Sequence, residues 1–205
     1  MKNEDPNFRL QRLSTVLAVV ILTLVLTASV SGLLLAVYYE PSAGAASTSL
    51  KRIGTEVPYG WLVLTVHHLA GNGFLIVALV QIIVMFLGQQ FRPSWIVGWV
   101  SGILLTLNAV GLGWTSMILD WSQQGFWRFR IELGTIEAIP LIGSALRTIL
   151  VGGDTISSQT IVRLYTLHSY VLSLVAVGLA IVHLVGLTIR DRELENTELS
   201  WRSPE

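Results

Sequence analysis

The sequence predicts an all-α membrane protein, a four-transmembrane-helix bundle whose long third connection carries short surface helices. Composition is the first reason: 52% of residues are hydrophobic, only 13% are charged, and mean hydropathy is +0.65. A soluble domain carries roughly 25% charge, so a soluble enzyme with an ordinary charged surface is excluded. The second reason is how the charges are placed. Residues 13–39, 57–91, 93–119 and 164–189 contain no Asp, Glu, Lys or Arg. Each stretch exceeds the roughly 20 residues that a spanning helix needs.

Backbone groups in lipid must be satisfied within the segment, and the alternation of a membrane barrel is absent, so these stretches are helices. Spans are expected near 13–38, 60–87, 95–118 and 164–188. They make one membrane domain over 13–190, between a tail at 1–12 and a polar tail at 191–205. The first apolar run is too long for a signal peptide, and no small-residue cleavage site follows it. Residues 39–59 form a polar loop with Lys51, Arg52 and Glu56. Residues 88–94 are a short turn in which Pro93 is placed to open the third helix. The connection 119–163 holds Trp121, Trp127, Arg128 and Arg130, a composition expected of short helices lying at the membrane surface. No internal repeat stands out.

Four spans put both termini on one side. Lys2, Arg9, Arg12, Arg92, Arg190, Arg192 and Arg202 then face Lys51, Arg52, Arg128, Arg130, Arg147 and Arg163. The excess of one charge favours termini on the cytoplasmic side. Thirteen basic and thirteen acidic residues cancel, which gives no reason to expect nucleic-acid binding. With no cysteine, the chain cannot hold a disulfide, an iron–sulfur cluster, a thiolate zinc or a thioether-linked haem.

All four histidines fall inside the expected spans, where an ionisable residue is costly and marks a functional site. His67 and His168 each lie near the start of a span and are expected at one depth. His183 follows His168 by 15 residues and Gln81 follows His67 by 14. At about 100° per residue both spacings return near the same helix face. Flat cofactors held edge-on between the second and fourth helices suit this geometry. His67 and His168 form a complete axial pair for a haem iron. The second level offers His183 opposite only Gln81, and an amide is a poor haem-iron ligand. His68 points about 100° away from His67 and belongs to the surroundings or the interface. Glycine allows close backbone approach to a porphyrin or to another helix. Gly32 on the first helix and Gly98, Gly102, Gly111 and Gly113 on the third are candidates.

Several segments, in order, resemble a known family. They are Val-Tyr-Tyr-Glu-Pro at 37–41, Thr-Glu-Val-Pro-Tyr-Gly-Trp-Leu at 55–62 leading to His67, and Asp-Trp-Ser-Gln-Gln-Gly-Phe-Trp at 120–127. Ala-Ile-Pro-Leu-Ile-Gly-Ser at 138–144 follows, then Arg-Leu-Tyr-Thr-Leu-His at 163–168, continuing to His183. Over roughly 10–192 the chain resembles the N-terminal four-helix half of the cytochrome b family, most of all its short cytochrome b6 form. The resemblance implies haem b, ligated by His67 and His168 near the outer side, with His183 matching a ligand of a second, inner haem. It implies that Arg163 meets a haem propionate, and that Gly32, Gly98 and Gly113 stand close to cofactor.

The departures concentrate on the inner level. Gln81 stands where the family has the partner of His183, and Ala18 stands where it has a glycine. Leu64 and His68 replace arginines that flank the ligand in cytochrome b6, and Val16 falls near the cysteine of its tethered extra haem. The outer haem is therefore expected to be retained. The inner site is expected to be empty, five-coordinate through His183, or unusually liganded.

The function expected is a haem-b electron-transfer subunit of a quinone-linked membrane oxidoreductase. Its expected surroundings are lipid, quinone or quinol, a Rieske or cytochrome c type partner, and a separate subunit resembling the family's C-terminal half. A structural or assembly anchor keeping the cytochrome b fold is the alternative. A haem subunit anchoring a molybdenum or hydrogenase enzyme would share the paired histidines but not the motif order.

Overall fold

The structure is a computed structural model that describes residues 6–88 and 91–202, and all regular structure among them is helical. Helix α1 runs Pro6–Ala36, α2 Ala46–Thr55, α3 Gly60–Leu87 and α4 Ile96–Leu119. Helices α5 (Gln123–Glu137), α6 (Gly143–Val151) and α7 (Ser158–Thr166) follow. A π-helical turn at Leu167–Leu172 then joins α7 to α8, Ser173–Arg202. Four helical stretches are long and apolar enough to cross a membrane: Asn7–Ala36, Gly60–Leu87, Pro93–Leu119 and Ser158–Asn196. They match the four spans expected from the charge gaps. Their outward faces are apolar: Val30, Leu33, Leu107 and Leu174 are 63%, 72%, 63% and 71% exposed. Lipid, not water, is the solvent such a surface requires.

Local chemistry sets the ends of the elements. Pro93 opens a short 3-10 turn that leads into α4, as its fixed φ and missing N–H favour. The region read as a polar loop, 39–59, contains α2, with Arg52 paired to Glu40 at 3.5 Å. The fourth span starts earlier than its uncharged stretch. Ser157 caps α7 in a capping box with Thr160, and Arg163 lies inside the helix, exposed, donating to the Ile149 carbonyl at 2.8 Å. Replacing Ser157 by alanine is expected to lower stability by about 1 kcal/mol. Thermal unfolding in detergent checks this.

The chain forms two compact units. The first draws on Met1–Thr27, Ala70–Val110 and Val175–Glu205, the second on Ala28–Leu69 and Gly111–Leu174. In the first unit Ala70, Ala78, Ala109, Ala176 and Ala180 are buried, and a Cβ on Gly186 would lie 3.2 Å from the Gly98 nitrogen. Small residues let helix backbones approach closely, which is how helices associate in lipid. Ala18, Met85 and Leu187 form its core cluster, with Trp99 and Leu184 packed against it. Arg190, 1% exposed, is held there by Asp191 Oδ1 at 2.6 Å, Ser14 Oγ at 2.7 Å and Thr15 Oγ1 at 2.8 Å.

In the second unit the connection 119–163 folds as α5 and α6 with the start of α7. Its core of Ile118, Phe129, Leu133, Val151 and Leu164 is flanked by Trp114 and Trp121. Ser122 caps α5 by accepting from the Gly125 N–H. The α6 terminus turns through Gly152 at φ 82°, the left-handed geometry that glycine adopts without strain. Tyr39 donates to the Leu119 carbonyl at 2.8 Å, and burial raises its phenol well above its ordinary pKa, which keeps it a donor.

Candidate functional site: opposed imidazoles

In the second unit α3 presents His67, and the π turn before α8 presents His168. Their ring centroids lie 6.4 Å apart. Two metal–nitrogen bonds of about 2 Å, with each nitrogen about 1 Å from its ring centre, put bis-imidazole centroids roughly 6 Å apart. The spacing thus fits one metal atom between the rings. Both side chains are half-buried.

Each imidazole is fixed through its Nδ1. His67 Nδ1 lies 3.0 Å from the Ala28 carbonyl and 3.2 Å from Ser31 Oγ, both on α1. A carbonyl only accepts, so the proton sits on Nδ1 and Nε2 carries the lone pair that binds a metal. His168 Nδ1 bonds Thr115 Oγ1 at 2.8 Å on α4. Second-shell acceptors of this kind set tautomer and ring direction at metal sites. Gly32 completes the approach of α1: a Cβ there would come within 3.0 Å of His67 Cε1. Gly113 lies on α4 between Leu112 and Thr115. The donor set and the glycine cradle fit the haem iron expected from the sequence.

His183 lies in the first unit with an almost identical setting. Its Nδ1 is 3.0 Å from the Gly98 carbonyl and 3.1 Å from Ser101 Oγ, and a Cβ on Gly102 would come within 2.9 Å of its Cε1. Its Nε2 is taken differently: Gln81 Nε2 lies 2.9 Å away. The same amide nitrogen donates to the Ser14 carbonyl at 3.0 Å.

The structure therefore joins His67, His168, Gly32 and Gly113 in one unit and His183, Gln81 and Gly98 in the other. Arg163, on α7 five residues before His168, rests on the Ile149 carbonyl. His68 is exposed beside His67. Among the described residues no three His, Cys, Asp or Glu side chains cluster as a metal cage, so paired imidazoles are the donors available.

Ser31, Ser101 and Thr115 escaped the sequence reading, although a signal for two of them exists. Val-Ser-Gly-Leu-Leu-Leu at 30–35 and Val-Ser-Gly-Ile-Leu-Leu at 100–105 form a short repeat. In both, the serine hydroxyl meets a histidine Nδ1 and the glycine lies against that ring.

A helical membrane bundle that opposes two imidazoles across the width of one metal atom has the architecture of membrane-bound b-type cytochromes. The chain belongs to the cytochrome b/b6/petB family, whose profile matches residues 9–191. It is 31% identical over 153 residues to cytochrome b6 of Gracilaria tenuistipitata var. liui, covering 75% of this chain and 71% of that one. Identity and coverage are the same for cytochrome b6 of Auxenochlorella protothecoides. Among solved structures, a chain of a hyperthermophilic respiratory Complex III matches with a TM-score of 0.69 and 25% identity over 91% of this chain. The present chain spans about half, 48%, of that one.

Proposed function

We propose that the chain is a haem-b electron-transfer subunit of a quinol-linked membrane oxidoreductase, with its haem between His67 and His168. The single observation that carries this is the 6.4 Å opposition of two imidazoles whose Nδ1 atoms are both committed elsewhere. The family, and the likeness to a Complex III chain, support the quinol linkage.

Haem b, when bound, supplies a reversible one-electron centre. The residues of this chain bind and tune it. Ala28, Ser31 and Thr115 engage the Nδ1 atoms of the two rings, which would leave each Nε2 to hold the iron and make the imidazoles more basic ligands. Gly32 keeps α1 close to the His67 ring. Arg163 is the cation assigned to a propionate, as the family resemblance implies, where its fork would form a charge-assisted pair. The one-charge excess favours termini on the cytoplasmic side. Quinone, quinol and further subunits of the complex are the partners.

The test is optical. Protein purified in mild detergent should show a b-type reduced-minus-oxidised spectrum, developed by a short-chain quinol as well as by dithionite. A chain that carries no haem would overturn the proposal. A haem that dithionite reduces and quinol cannot would overturn only the quinol linkage, and would favour the anchor reading.

A further inference from the structure

The helices repeat their site-bearing positions in the two units. The carbonyls at Ser14 and Ala28 lie 14 residues apart on α1, Gly98 and Leu112 lie 14 apart on α4, and His67 and Gln81 lie 14 apart on α3. In three of these settings a Ser or Thr hydroxyl at i+3 faces an imidazole Nδ1, and in two of them, from Ala28 and Gly98, the backbone carbonyl at position i receives that same nitrogen. At two of the three, glycine at i+4 lies against the ring. The fourth setting, on α1 from Ser14, keeps the carbonyl but has Leu17 at i+3 and Ala18 at i+4. The group it receives is the amide of Gln81.

We propose that this fourth setting closes the second haem site. Gln81 stands in for both the missing histidine and the iron, and each chain holds one haem. The inference rests on the reading of His67 and His168 as haem ligands and goes beyond it.

A glutamine amide carries two N–H donors on one nitrogen. One donates to the Ser14 carbonyl, as the Nδ1 of His67 donates to Ala28. The other donates to His183 Nε2 at 2.9 Å. His183 can accept because its own proton lies on Nδ1, toward the Gly98 carbonyl. The reverse amide orientation would press Oε1 against the Ser14 carbonyl, two acceptors together, so the network itself assigns the nitrogen. Axial nitrogens on one iron stand about 4 Å apart, twice a metal–nitrogen bond of about 2 Å. A direct hydrogen bond of 2.9 Å leaves no place for the metal.

Packing agrees with this. His183 is 0% exposed and Gln81 1%, whereas His67 and His168 are each half-buried. Beside the pin, Ala18, Met85 and Leu187 pack together with Trp99 and Leu184. These residues do not fit a haem. His183 is kept as the acceptor of a structural hydrogen bond, and no electron path through a second haem exists within this chain.

Haem counting by pyridine haemochrome on three purified proteins tests the proposal. Wild type is expected to hold one haem per chain. His183→Ala is expected to hold one, with an unchanged spectrum. Q81H combined with A18G is expected to hold two, because it restores the imidazole and the i+4 glycine. Two haems in the wild type, loss of haem in His183→Ala, or a single haem in the double variant would each overturn it. A second haem lost with His183→Ala would sink this inference alone. A wild type with no haem would overturn both this inference and the reading on which it rests.

Discussion

Replacing His168 by alanine should abolish the b-type spectrum and slow quinol-driven reduction at least about a hundredfold, the upper end of what loss of a metal site's supporting hydrogen bond costs. The imidazole removed is one of only two donors, and its neighbours offer no substitute. Thr115 is a hydroxyl already donating within α4, to the Gly111 carbonyl at 2.9 Å. His68, next to His67, is exposed. Thr115→Ala should do less. It removes the group that orients His168 and leaves the ligand, so a drop in haem retention of about tenfold with a shifted spectrum is expected. Spectra of the purified variants, with rapid-mixing reduction by quinol, check both. An unchanged spectrum in His168→Ala would show that the haem lies elsewhere.

Arg190→Leu is expected to cost about 3–5 kcal/mol of stability, because it leaves the buried Asp191 carboxylate without its cation. In the wild type the guanidinium donates to Asp191 Oδ1, Ser14 Oγ, Thr15 Oγ1 and the Gln11 carbonyl, and it is 1% exposed. Asp191 is only 9% exposed and would keep a Thr15 hydroxyl at 2.7 Å. For a chain of this size the loss corresponds to a Tm lower by roughly 6–20 °C. Converting Asp191 to Asn in the same chain removes the stranded charge and should recover part of it. Thermal melts of the single and double variants in one detergent read this directly. Equal Tm values for wild type and Arg190→Leu would show that the ion pair adds nothing.

The spans were legible because a charge-free stretch in lipid leaves the chain little choice but helix: α3 occupies 60–87 as read. Ends were less legible. The start of the last span depends on the Ser157–Thr160 cap, and Arg163 is tolerated inside the helix because its guanidinium reaches the Ile149 carbonyl. Helix α2 is short and polar, and its pairing of Arg52 with Glu40 depends on a turn that hydropathy does not report. The 15-residue spacing of His168 and His183, one more than on the other helices, carries its extra residue through the π turn at Leu167–Leu172. No sequence period announces such a turn.

Within the site, the paired histidines were readable because imidazoles in a membrane span are rare and have few reasons to be there. The hydroxyls of Ser31, Ser101 and Thr115 were not, since serine and threonine are ordinary residues in membrane helices. The family resemblance implies that Gln81 stands where a ligand would be, and it left three states open for that site. The proposed closure of the site rests on the direction of one amide, set by the Ser14 carbonyl that only folding brings near.

The most direct measurement is the haem content of the purified wild-type chain alongside its His67→Ala variant. One low-spin b haem per chain in the wild type and none in the variant is the result expected from an axial pair at His67 and His168. A haem that survives in His67→Ala with its six-coordinate spectrum intact would contradict it.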